Sequence, residues 1–210
     1  MRALPFVVVA FLLAGCAFGG ESAPEPTRDN GLTRYEISAG RFAIGVPQTW
    51  HATSAAQMKD AAVRRFADQN PSFAPYANAV GRKDSPFKFF AYDPVVHDRF
   101  ATNLNVFVQS VPAGTTWVAY KRSAVREAKS IADSRVTAKE LRLPAGKAVR
   151  ADYRIRFVLN GRKRTVSTTQ FGLLLENRSY VLTYTTLPSV RSRYLESFKR
   201  SAESFELTRG

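Results

Sequence analysis

The chain has 210 residues, 45% hydrophobic and 23% charged, with 31 Lys and Arg against 17 Asp and Glu for a formal net charge of +14. These proportions lie near the globular average and the length suffices for one domain with a sizeable core, so wholesale disorder is excluded. The only cysteine is Cys16, which excludes an internal disulfide and leaves stability to the core.

The first segment reads as an export signal. Arg2 supplies a positive start, Leu4 to Leu13 is almost wholly apolar, and Ala14 and Gly15 are small, the order of parts in a secretory signal peptide. The run breaks at Gly19-Gly20, short of the roughly 20 apolar residues that cross a bilayer. Leu13-Ala14-Gly15-Cys16 resembles the lipobox of bacterial lipoproteins, where the cysteine thiol, as thiolate the good nucleophile, takes a diacylglyceryl group. The resemblance implies that residues 1–15 are removed and that Cys16 becomes a lipidated N-terminus. Each buried CH₂ contributes about 0.8 kcal/mol, so several acyl chains hold the protein firmly to the outer face of the cell membrane.

Residues 16–33 (CAFGGESAPEPTRDNGLT) lack periodicity and are expected to form a flexible tether. Residues 34–210 are expected to form a single α+β globular domain. Arg34 to Ile37 and Arg41 to Val46 read as two short strands, with Phe42, Ile44 and Val46 sharing a face. Pro47 ends the second, and Trp50 follows as a large plug. Ser54-Ala55-Ala56-Gln57 has capping-box spacing, so a helix is predicted with Ala55, Met58, Ala62 and Phe66 as its apolar stripe. Phe73 to Val80 reads as a short helical turn.

Phe87 to Tyr92 is a strand that Asp93-Pro94 closes, and Asn103 to Val111 is another, with Leu104, Val106 and Val108 on one face. From Thr115 or Thr116 a helix is predicted to Ile131, because Trp117, Tyr120, Ala124, Ala128 and Ile131 recur at helical spacing. Lys121, Arg122, Arg126 and Lys129 fall on its outer surface. Val136 to Leu143 and Lys147 to Leu159 are strands broken at Pro144-Ala145-Gly146. Asn160-Gly161 is a type I′ hairpin signal whose register sets Ile155 opposite Val166, and Arg154 and Arg156 opposite Ser167 and Thr165. The returning strand reaches Leu175, and Asn177-Arg178 turns it into Tyr180 to Tyr184. After Pro188 a last helix carries Val190, Tyr194, Leu195, Phe198, Ala202 and Phe205 inward. The fold class is therefore α+β, a mainly antiparallel sheet covered by helices.

Two stretches are similar to the PsbP/Mog1-like family, including its bacterial envelope lipoproteins of actinobacterial type. Phe42-Ala43-Ile44-Gly45-Val46-Pro47-Gln48-Thr49-Trp50 resembles that family's opening strand, and Tyr180 to Thr186 with the following helix through Ser204-Phe205 resembles its closing strand and helix. The resemblance implies an α-β-α sandwich and a non-catalytic accessory or binding role. It brings no catalytic residue and no cofactor.

Hidden chemistry would have to use His51 or His97, the only histidines. A small envelope hydrolase built on either is the alternative reading, although no G-x-S-x-G elbow accompanies them. Asp93, His97 and Asp98 lie close in sequence, a carboxylate and imidazole set that suits Zn²⁺ or Mn²⁺, but a polar loop between strands accounts for them better and no metal site is expected. Arg150, Arg154, Arg156 and Lys163 share one face of the basic hairpin, with Arg162 and Arg164 alternating away. Two readings stand for that face: a cationic surface for anionic lipid or polymer, or a solvated sheet face. For an exported chain the expected partners are the membrane, through its lipid, and an envelope protein or anionic envelope component. Nucleic acid is not expected, because Tyr153 and Phe157 belong to the apolar face and the chain is read as exported.

Overall fold

Two antiparallel sheets and two helices make up the computed structural model, which describes residues 27–29, 31–54, 85–159 and 162–208. The signal segment, Cys16, the helix expected after Ser54, the turn expected at Phe73 to Val80 and the Asn160-Gly161 pair lie outside the described residues. In chain order the elements are β1 (Thr27–Asp29), β2 (Leu32–Ile37), β3 (Phe42–Pro47), β4 (His51–Ser54), β5 (Phe87–His97) and β6 (Phe100–Ser110). Then come α1 (Trp117–Ile131), β7 (Thr137–Leu143), β8 (Gly146–Leu159), β9 (Arg162–Leu175), β10 (Arg178–Thr186), α2 (Arg191–Glu203) and β11 (Glu206–Leu207). Strands β1-β2-β3-β11 form a small sheet, and β4-β5-β6-β10-β9-β8-β7 form a seven-stranded one.

Cross-strand partners share a face, so the register sorts the large sheet into two sides. Val149, Gly172, Val181 and Phe107 lie in one cross-strand row. On this side α1 packs, with Tyr120, Ala124 and Ala128 buried. The helix starts at Thr116, whose Oγ1 accepts the Ala119 N–H at 3.2 Å, a cap that satisfies one of the free first-turn donors. Close approach of α1 needs Gly172: a Cβ there would lie 2.9 Å from the Tyr120 hydroxyl, which shares a 3.1 Å hydrogen bond with Ser179 Oγ.

The opposite side carries Asp152, Thr169, Tyr184 and Leu104 in one row. Here α2 and the small sheet close the core. Tyr184 stacks on Phe198 at 4.8 Å between ring centroids, and Phe42 lies against Phe205 at 5.5 Å. Ser201 Oγ donates to the Gly45 carbonyl at 2.6 Å and accepts the Tyr184 hydroxyl at 3.0 Å, linking α2 to both sheets. Trp50 is buried against Tyr194 and Phe198, the plug that its position after Pro47 suggested.

The α+β class, the α1 span and the Ile155–Val166 register agree with the sequence reading, while α2 stops at Glu203 and leaves Phe205, expected on its inner face, beyond its end. Other details differ, among them an unexpected strand at His51–Ser54. Ordered strand begins before residue 34: β1 pairs with β2, and Thr33, expected in the tether, is buried opposite Val46. Asp93-Pro94 does not close β5, which continues to His97 through an irregularity between Tyr92 and Val96. Asp93 is instead a buried acceptor, 2.7 Å from the Tyr194 hydroxyl and 2.9 Å from the Val95 N–H. The turn after β9 is Glu176-Asn177, both left-handed with φ of 48° and 58°, because Leu175 pairs with Arg178. Finally, β11 joins β3, a pairing whose two residues give no local pattern to read.

Candidate functional site

Alongside α1 the edge of the large sheet leaves a groove of about 770 Å³, lined by Val118, Lys121, Arg122, Val125, Arg126 and Lys129 of the helix and Ala138, Lys139, Glu140 and Val149 of the sheet. The helix contributes positions i, i+3, i+4, i+7, i+8 and i+11, a single flank about 16 Å long at 1.5 Å per residue. That flank exists because Tyr120, Ala124 and Ala128 turn the neighbouring stripe inward. Valines 118 and 125 with Ala138 and Val149 make an apolar floor, and Val118 is 58% exposed, one of three large apolar side chains that stand out in solvent among the described residues.

The rim is cationic. Of its five Lys and Arg, Lys121 is engaged with Glu140 at 2.9 Å, and that ammonium holds the Glu140 carboxyl below its ordinary range. Arg122, Arg126 and Lys129 extend along the helix wall of the slot, whereas Lys139 is the cross-strand partner of Arg150 and so belongs to the opposite face of β7. The sheet wall is β7, the last strand in the order β9-β8-β7. Residues Thr137 to Glu140 are all exposed, inward-alternating and outward-alternating positions alike.

The hairpin cations are arranged differently from a uniform surface. Arg150 donates from Nε and Nη2 to Asp152 at 2.8 and 3.0 Å and lies 5.8 Å from the Phe171 ring centroid. Arg191 of α2 joins the same carboxylate at 2.7 Å, and Thr169 Oγ1 donates to it at 2.7 Å. Arg156 pairs with Asp133 at 2.7 Å. Arg154 and Lys163 are exposed. Arg150, Arg154, Arg156 and Lys163 thus share a face, as the register requires, but two of the four carry their own counter-ion.

Arg164 points to the other side and pairs with Asp98 at the tip of the β5–β6 hairpin. Phe100 and Phe157 meet nearby at 6.4 Å. The two hairpin ends therefore lie together, bringing Val95 and Val96, 56% and 54% exposed, to the same end of the sheet as Arg99, Arg162 and Lys163.

The two histidines differ from each other in packing and exposure. His51 stacks on Tyr92 at 5.5 Å, and His97 is half-buried at the start of the Asp98-Arg99 turn. Among the described residues no hydrogen bond joins either to a serine or carboxylate, and no three His, Cys, Asp or Glu side chains converge as metal ligands do. Asp93 is directed to Tyr194 and Asp98 to Arg164, away from His97.

One further feature is a polar row across the sheet on the α1 side. Tyr153, Thr168, Thr185 and Asn103 are successive cross-strand partners. Thr168 Oγ1, Thr185 Oγ1 and Asn103 Oδ1 are buried without a hydrogen-bond partner among the described residues.

Sequence reasoning placed the α1 cations on an outer surface and left the groove unseen. The local signal was present, in Val118 and Val125 breaking an otherwise basic flank. What was absent is that β7 is the edge next to it, because strand order is not local information.

No protein-family model matches the chain, and no curated protein matches it in sequence. Among solved structures it is similar to the Ran-binding protein Mog1p of Saccharomyces cerevisiae, at 9% identity and a TM-score of 0.50 over 84% of this chain and 95% of that one. It is also similar to cyanobacterial PsbP (CyanoP) of Synechocystis, at 12% identity over 93% and 98% of the two chains with a TM-score of 0.49. For LpqN of Mycobacterium tuberculosis, involved in cell envelope biogenesis, the values are 13%, 88%, 90% and 0.49. At such identities the likeness is one of fold: two antiparallel sheets closed by helices, as in Mog1p, give this chain a PsbP/Mog1-like fold.

Proposed function

We propose that this chain is a non-catalytic binding module of the cell envelope, anchored through lipid on Cys16, that holds an envelope protein in the groove between α1 and β7. The observation that carries the reading is the groove itself, an apolar floor with a cationic rim beside an open sheet edge. Apolar area supplies the gain from burial and the rim supplies selection by charge. The histidine geometry supports a binding role over hydrolysis, since a triad needs its imidazole hydrogen-bonded and oriented.

The test is a photo-crosslinking side chain placed at Val125 or Ala138 and irradiated in intact cells. A discrete protein adduct at both sites, missing at exposed Glu203 on α2, is expected. Equal adducts at all three positions, or none at the groove, overturn the reading. The anchor is tested separately with Cys16→Ser, which is expected to lose labelled fatty acid and, in a high-salt wash, membrane fractionation. Retention of both removes it.

A second contact is favoured by Val95 and Val96, two adjacent exposed apolar side chains with Arg99, Arg162 and Lys163 at the same end. This is the pattern for touching an anionic lipid surface, where each cation contributes about 1 kcal/mol. A Cys16→Ser form is expected to float with vesicles containing phosphatidylglycerol at low salt and to be released at high salt. Flotation with neutral vesicles alone, or none, argues against it.

A further inference from the structure

We infer that the occupant of the α1–β7 groove is an acidic, extended segment of a partner polypeptide that adds to β7 as an eighth strand, an inference that rests on reading the groove as a protein-binding surface. The first support is the edge. β7 ends the sheet order, and its residues Thr137 to Glu140 are exposed in succession, so among the described residues nothing pairs with its outer side. An edge strand directs a row of N–H and C=O groups outward, and a polypeptide is the ligand that answers both at strand spacing.

The second support is where the charge lies. Arg122, Arg126 and Lys129 recur at i, i+4 and i+7 along the helix wall. A single-headed amphiphile would call for cations gathered at one end of the slot. Here they extend along it, matching a chain with repeated negative charges. A strand alternates its side chains, so one bearing acidic residues toward α1 meets these cations every second position while the apolar floor of Val118, Val125, Ala138 and Val149 covers what lies between.

A second copy of this chain is disfavoured at the same edge. Two antiparallel β7 strands centred between Glu140 and Leu141 would set Lys139 of each copy opposite Arg142 of the other, in a protein already at +14. Exposed Lys and Arg on an edge are the usual guard against such self-pairing. The guard that repels a copy attracts an acidic partner.

The probe is a blocked decapeptide of alternating valine and glutamate, followed by fluorescence anisotropy against the full chain at low salt. Binding is expected, together with a loss of at least about ten-fold when the peptide is alternating valine and lysine, or when every second backbone amide is N-methylated. The double variant Arg122→Gln, Arg126→Gln, both exposed positions, is expected to weaken binding by a similar factor. Absence of binding overturns the inference. So does equal binding of the N-methylated peptide, or its displacement by polyphosphate or laurate at equal concentration, which would assign the groove to a polyanion or an amphiphile. If the in-cell adduct at Val125 and Ala138 persists while the decapeptide fails, the acidic strand falls and the binding module stands. If the adduct is missing, the reading beneath it falls as well.

Discussion

At the scale of single residues, charge and polarity are placed by partners from distant parts of the chain. Asp152 is the clearest case, receiving Arg150, Arg191 and Thr169 on its two oxygens while half-buried between β8 and α2. Removing it leaves two guanidinium groups without their shared acceptor. Asp152→Ala is therefore expected to cost about 2 kcal/mol, a figure discounted for partial exposure, read as a lower urea midpoint at unchanged slope. The polar row behaves oppositely. Because the Thr168 and Thr185 hydroxyls are buried without an acceptor or donor among the described residues, replacing either by valine exchanges an unsatisfied group for a methyl of the same shape. Thr168→Val and Thr185→Val are expected to leave the urea midpoint level or raise it. A fall of more than about 1 kcal/mol would mean that the hydroxyl has a partner. None of this was readable from the chain: Arg150 and Arg154 each lie two residues from Asp152, and only the fold shows that Arg150 is the one that joins Arg191 on its carboxylate.

Elements explain both what the sequence revealed and what it withheld. Helix α1 was legible from Thr115 or Thr116 to Ile131 because its period and its stripe are local, and the β8–β9 register followed from a two-residue turn. The groove was not legible, since it depends on β7 being last in the sheet and on how closely α1 approaches β9. Gly172 sets that approach. In Gly172→Ala the new methyl would sit 2.9 Å from the Tyr120 hydroxyl and 3.3 Å from Val149 Cγ1, so the helix has to lift or the tyrosine has to leave Ser179. The expected cost is about 1 to 3 kcal/mol, with a changed tryptophan emission from Trp117, which packs on Tyr120 at 5.7 Å. An unchanged midpoint and unchanged emission would show that α1 has slack against the sheet, and with it that the groove width is not fixed by this contact.

The whole molecule is held by an aromatic core that resists ionisation. Tyr120, Tyr153 and Tyr184 are fully enclosed, and burial pushes all three phenols well above their ordinary value of 10.0. The folded chain then keeps protons that the unfolded chain gives up. Stability from this source is complete below pH 10 and falls as pH rises beyond it, by about 1.4 kcal/mol per pH unit for each tyrosine. Urea midpoints should stay level from pH 8 to about 10 and drop from there. Phenolate absorbance should develop in two stages, the second coinciding with loss of the circular dichroism signal. All eight tyrosines ionising together in a chain that stays folded would contradict the enclosure. The last stretch of the chain bears on the same core in a different way. Phe205 is wholly buried against Phe42 and Tyr180, Leu207 pairs with Phe42, and the Thr208 N–H reaches the Arg41 carbonyl at 3.1 Å. A polypeptide leaving the ribosome delivers residue 42 long before residue 205, so the opening strands must wait, uncovered, for the final ones. Closure of this part of the core therefore waits on residues 205 to 208.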